Sequence, residues 1–145
     1  MTSQNRKNAL VSFLDVNDDD VYAGLRDEDT DPDEDTEFDN SGKTYLVLTD
    51  DEANKRARDY IEQSLWAFRP EFIVEHTDLP CEATEMVAGF CQAKCEDAND
   101  TIRALIKDLD AFVQDAINAD GRGHFMSSYD GQEHEHEGFY IYRTN

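Results

Sequence analysis

His134-Glu135-His136-Glu137 sets two imidazoles two residues apart. In an extended segment both point to the same side, and imidazole suits zinc, nickel or copper. A zinc site takes three or four protein ligands, so His124 or a cysteine would have to complete the set. Asp15-Val16-Asn17-Asp18-Asp19-Asp20 offers oxygens at alternate positions, as a calcium loop does. Asp20 stands where the turn glycine belongs, however, and Arg26 where the bidentate glutamate belongs. Cys91 and Cys95 lie four residues apart, on one helix face with Val87 and Phe90. A thiol nucleophile needs a base, and Lys94 is the one local candidate, so both cysteines are expected to pack as small hydrophobes. Gly121-Arg122-Gly123-His124 follows a helix, whereas a phosphate cradle precedes one. Ser127, Ser128, His124 and Asp130 supply the residue types of a triad, but triads are assembled by folding rather than by proximity in sequence. No catalytic residue, metal or cofactor is assigned, and the protein is read as a non-enzyme. The competing reading is a metal-binding regulator or enzyme built on the C-terminal hairpin of His134 and His136.

Charge carries more information than any of these motifs. Thirty-four Asp and Glu face thirteen Lys and Arg, a net of −21 over 145 residues. Self-repulsion on that scale works against compaction, and the resulting field repels nucleic acid and anionic membranes. It attracts basic proteins, above all those whose groove holds DNA or RNA. The expected partner is therefore a basic nucleic-acid-binding protein, with no direct binding of nucleic acid or membrane. Three cysteines, Cys81, Cys91 and Cys95, form no disulfide framework and point to a reduced, cytosolic setting. Ala9 to Leu14 is too short an apolar patch for a signal peptide, and no run reaches membrane-spanning length. In size and charge the chain resembles the small acidic DNA-mimic proteins that phages use against restriction and CRISPR systems. That resemblance implies an inhibitor presenting carboxylates in place of phosphates; it rests on composition, so no functional residues carry over with it.

The elements that would hold such carboxylates follow from periodicity. Residues 1–42 hold thirteen acids against three bases, and the stretch from Arg26 to Asp35 contains no apolar residue except Pro32. Residues 1–42 are read as an acidic, largely flexible segment, with Ala9 to Leu25 able to dock as a strand or short helix. Residues 43–145 are read as the globular domain. A strand is expected over Lys43 to Leu48, after the turn pair Ser41-Gly42. Thr49 and Glu52 form a capping box that opens a helix running to Phe68, which Arg69-Pro70 ends or kinks. A second helix is expected from Cys81 or Glu82 to Cys95, and a third from Ala98 to Asn118, with Leu109 and Phe112 in its core face. His124 to Tyr129 and Phe139 to Arg143 read as strands around the Asp130-Gly131 turn and an acidic loop from Gln132 to Gly138. The fold class is α+β, about three helices on a small antiparallel sheet. The polar faces of the first and third helices offer the candidate partner-binding carboxylates: Asp51, Glu52, Asp59 and Glu62 on one, Asp100, Asp108, Asp110 and Asp115 on the other.

Overall fold

A computed structural model describes residues 3–23 and 36–145. The fold is α+β, with a five-stranded antiparallel sheet in the order β1-β2-β3-β5-β4. The strands are β1 (Val21–Ala23), β2 (Glu37–Asn40), β3 (Lys43–Leu48), β4 (His134–His136) and β5 (Phe139–Arg143). The α-helices are α1 (Ser3–Leu14), α2 (Asp50–Gln63), α3 (Pro70–Glu75), α4 (Thr84–Lys94), α5 (Asn99–Leu105), α6 (Leu109–Asp120) and α7 (Arg122–Met126). The chain divides into two compact units, Met1–Ala57 with Gly121–Asn145, and Arg58–Asp120. We call them the sheet unit and the helical unit.

In the sheet unit β3 is central. Tyr45, Leu46, Val47 and Leu48 are all buried, so both faces of this strand are covered. Its register with β5 sets Leu46 opposite Tyr142, Val47 opposite Ile141 and Leu48 opposite Tyr140. One face carries Tyr45, Val47, Phe139 and Ile141, together with Ala9 and Leu10 of α1, Val21 and Phe38. The boundary expected at Lys43 therefore falls within the β2–β3 hairpin, where Ser41 and Gly42 hold φ of 51° and 80°. Such positive φ at both central positions matches the right-handed twist of the strands. The segment from Ser3 to Leu14 forms a helix because its apolar residues find this sheet face to cover. The acidic centre of the N-terminal part, from Arg26 to Asp35, lies outside the described residues.

The strand expected over His124 to Tyr129 is instead helix α7. Gly123, Phe125 and Met126 are buried while His124 is exposed, and two adjacent buried side chains do not fit one face of a strand. A Cβ on Gly123 would meet the Gly131 carbonyl oxygen at 2.5 Å and the Glu133 amide nitrogen at 2.9 Å. The residue is glycine because the backbone of 131–133 passes over it. The expected acidic loop then supplies β4, which turns through Glu137 and Gly138, both at positive φ, into β5.

The helical unit departs from three helices by interruption. α2 ends at Gln63 rather than Phe68, because Asn99 donates to the Glu62 carbonyl at 2.6 Å and accepts the Trp66 amide at 3.2 Å. Pro70 does not merely stop a helix but sits in the first turn of α3, where its missing N–H costs nothing. The expected helix from Ala98 to Asn118 is broken at Ile106, whose ψ of 126° is extended. There the Lys107 amide donates to the His76 carbonyl at 2.8 Å, and Asp108 caps the new helix α6 through the Ala111 amide. Phe112 is fully buried, with Phe68, Phe72 and His76 packed edge-on or tilted around it at 4.8–5.1 Å. Leu109, by contrast, is half-buried.

Phe112→Ala is expected to destabilise the protein by about 3–5 kcal/mol, the range for emptying a packed aromatic site; a urea titration followed by circular dichroism measures it. Gly123→Ala is expected to cost about 1–3 kcal/mol as the 131–133 backbone is forced away. The same titration checks it, and Gly89→Ala, inside α4 with open space at its Cβ, serves as the control, expected to gain up to about 1 kcal/mol.

Candidate functional site

The eight carboxylates expected to meet a partner do not form one group. Asp51, Asp59, Asp100, Asp108, Asp110 and Asp115 are exposed, while Glu52 and Glu62 are half-buried. Arg58 brings Glu62 and Asp110 together, with its nitrogens 3.6 Å from the first and 2.5 Å from the second. Asp115 lies 3.1 Å from His76. Asp108 is occupied as the cap of α6.

Glu52 is the clearest departure from a solvent-facing role. The capping box forms as expected, with the Thr49 amide donating to Glu52 at 2.8 Å and the Glu52 amide donating to the Thr49 hydroxyl at 3.3 Å. The same carboxylate accepts both terminal nitrogens of Arg6, one at 2.9 Å. Arg6 is 1% exposed and also donates to the Val47 carbonyl at 3.0 Å, with its guanidinium 5.7 Å from the Phe139 ring. Burial works to raise the Glu52 carboxyl, but the Arg6 hydrogen bonds, the Thr49 amide and the Arg6 charge outweigh it and hold it below the usual glutamate range. Sequence reasoning missed this because Arg6 is forty-six residues away.

A second clasp sits at the other end of α2's first turn. Arg122 forks onto Glu133 at 2.9 and 3.0 Å, reaches Asp50 at 2.8 Å and Asn54 at 3.0 Å, and lies 4.5 Å over the Tyr140 ring. Burial, then the bond that Tyr142 donates to Glu133, pushes the Tyr142 phenol well above its ordinary range.

The chemistry-bearing motifs resolve into packing. His134 and His136 do share one side of β4, where both rings lie against Phe13, with ring centroids at 5.1 and 5.8 Å, while His134 stays exposed. His136 also meets the Ser12 hydroxyl at 2.9 Å. Among the described residues no group of three or more His, Cys, Asp or Glu is placed to hold a metal ion. Ser127 meets Asp130 at 2.8 Å and the Arg143 carbonyl, while His124 packs edge-on against Phe125. Cys91 is buried, and burial pushes its thiol up; Cys95, expected beside it in the core, is exposed at a φ of 50°. No described helix is long and apolar enough to cross a membrane.

What the helical unit does present is an excess of exposed negative charge. The helical unit holds fourteen acids against five bases, and thirteen of the fourteen are exposed, all but Glu62. Glu71 and Glu75 are one helical turn apart on α3, where such neighbours stand about 5–6 Å apart at Cβ. Glu82, Glu85, Glu96, Asp97 and Asp120 join them, none of which sequence periodicity singled out. Their signal was available in the polar positions between apolar ones, but the helix breaks that aim them were not. No protein-family model matches the chain, and the searches of curated proteins and of solved structures found no match either.

Glu52→Gln is expected to lower stability by about 3 kcal/mol, near the bottom of the range for breaking a buried pair, since Glu52 itself is a third exposed. Adding Arg6→Met should recover part of that loss, because no buried cation is then left alone. The pH sign follows from the depressed carboxyl. Its contribution is complete above the ordinary glutamate value of 4.5 and is lost as pH falls through the lower folded-state value. Denaturant titrations at neutral and acidic pH check both, with Glu52→Gln expected to flatten the acid limb.

Proposed function

We propose that the protein is an acidic inhibitor that occupies the basic groove of a nucleic-acid-binding protein, of the anti-restriction or anti-CRISPR type. The observation that carries this reading is the helical unit's thirteen exposed carboxylates set on ordered helices and turns. Duplex DNA offers about one negative charge per 1.7 Å of axis, and its binding proteins line their grooves with Lys and Arg to match. Carboxylates held by helices lose less freedom on association than those of a loose tail, so more of the Coulomb attraction survives as affinity. Of the carboxylates named from the sequence, Asp59, Asp100, Asp108, Asp110 and Asp115 belong to this array, and Asp51 of α2 is exposed on the sheet unit. Glu52 does not, because Arg6 holds it. Free cysteines suit a reducing, cytosolic setting for such an encounter.

Pull-downs at low and high salt, followed by a DNA-binding assay with the captured protein, test the reading. Capture is expected to fall steeply as salt screens the charges, and DNA and this protein are expected to exclude one another. Neutralising Glu71, Glu75, Asp97 and Asp100 one at a time should weaken binding in small, cumulative steps. A captured protein that holds DNA and this chain at once, or that is itself acidic, overturns the proposal.

A further inference from the structure

The helical unit contains an apolar pocket that its acidity does not account for. Met86, Val87 and Phe90 of α4 and Thr101, Ile102 and Leu105 of α5 line a cavity of about 210 Å³. Val87 and Ile102 are buried at its floor, while Met86 is 62% exposed at its rim. On each helix the lining residues fall at the first, second and fifth positions of the set, so two ridges flank one groove, the surface into which a third helix packs. Size narrows the occupant. A cavity of about 150 Å³ holds a benzene ring, whereas sites for drug-sized ligands begin at about 300 Å³. This one fits a single large apolar side chain. A rim methionine is unbranched and polarizable, and adapts to whichever chain enters.

Charge narrows it further. Glu82 precedes Met86 by one turn, Asp97 precedes Thr101 by one turn, and Glu85 and Asp100 adjoin Met86 and Thr101; these four exposed carboxylates outnumber the two exposed cations beside the lining, Lys94 one turn after Phe90 and Arg103 next to Ile102. A segment seated here meets carboxylates as soon as it leaves the pocket. An uncharged or acidic helix would desolvate them without return, and a basic one is attracted.

We propose that the α4–α5 groove is the docking site for a basic amphipathic helix of the partner. Its leucine, methionine or phenylalanine fills the pocket while its lysines and arginines face Glu82, Glu85 and Asp97. This inference rests on the reading of the protein as an acidic binder of basic proteins, and adds to it an anchor. Charge alone attracts every basic groove; one buried apolar side chain at the centre of a polar rim selects among them. It also leaves a part of the affinity that salt does not remove.

The test uses the full chain and two labelled peptides of about 15 residues, made of lysine with either leucine or alanine at helical i, i+3, i+4, i+7 spacing. Binding is followed by fluorescence anisotropy at about 0.15 M and about 1 M salt, where screening lengths are about 8 and 3 Å. The leucine peptide is expected to bind about tenfold more tightly than its alanine counterpart, the equivalent of ~1.4 kcal/mol, and to keep that margin at high salt. Met86→Gln, at an exposed position that does not threaten the fold, should erase the margin. Equal affinities for the two peptides, or a margin that Met86→Gln leaves intact, overturn the anchor while the charge-based reading stands. Failure of either peptide to bind at low salt counts against both. A dimer in sedimentation that Met86→Gln dissociates would give the groove to a second copy and overturn the assignment to a partner helix.

Discussion

The sheet unit depends on one buried guanidinium. Arg6 reaches from α1 to the Val47 carbonyl and to both oxygens of Glu52. It thereby ties a helix, the central strand and the start of the next helix through a single side chain. Arginine suits the position because its planar fork matches a carboxylate with two parallel bonds and cannot lose its proton. Taking both charges out of water is costly, so the pair adds less to stability than its geometry suggests. What it secures is arrangement. With Arg6 placed, Ala9 and Leu10 fall on the sheet face made by Tyr45, Val47, Phe139 and Ile141, and α1 has one way to lie.

Three of the arginines are engaged in holding carboxylates. Arg6 is buried, Arg122 is 11% exposed at its side chain and holds Asp50 and Glu133, and Arg58 lies between Glu62 and Asp110. Arg6 and Arg122 are turned inward and neutralise the carboxylates they hold, whereas Arg58 pairs with Asp110 at the surface. Placing cations beside selected acids lowers the self-repulsion of a chain this charged.

Much of this was legible in the residues themselves. The run from Lys43 to Leu48 is a strand, Phe139 to Arg143 is another, and Thr49 with Glu52 caps α2 as its spacing requires. The shared orientation of His134 and His136 was legible too, though not the phenyl ring of Phe13 that they cover. The candidate carboxylates were legible as exposed in six of eight cases. Glu52 was not, since nothing near it in the chain announces Arg6. Nor were Glu71, Glu75, Glu82, Glu85, Glu96 and Asp97, because the short helices and turns that display them arise from interruptions with distant causes.

The sequence by itself determined the class of the fold, the sign and size of the surface field, and each element whose defining interactions lie within a few residues. A capping box closes over four positions, and alternation or helical period repeats within a turn or two, so both are written locally. Tertiary structure decided where elements end and which polar groups remain outside. Asn99 ends α2 by bonding to Glu62 and Trp66, His76 takes the amide of Lys107 where α5 and α6 part, and the backbone of 131–133 closes over Gly123 to make α7 a helix. In each case a buried backbone group or a missing side chain is satisfied by a partner far along the chain. A backbone N–H or C=O has no sequence identity of its own, so its distant partner cannot be read before the chain is folded.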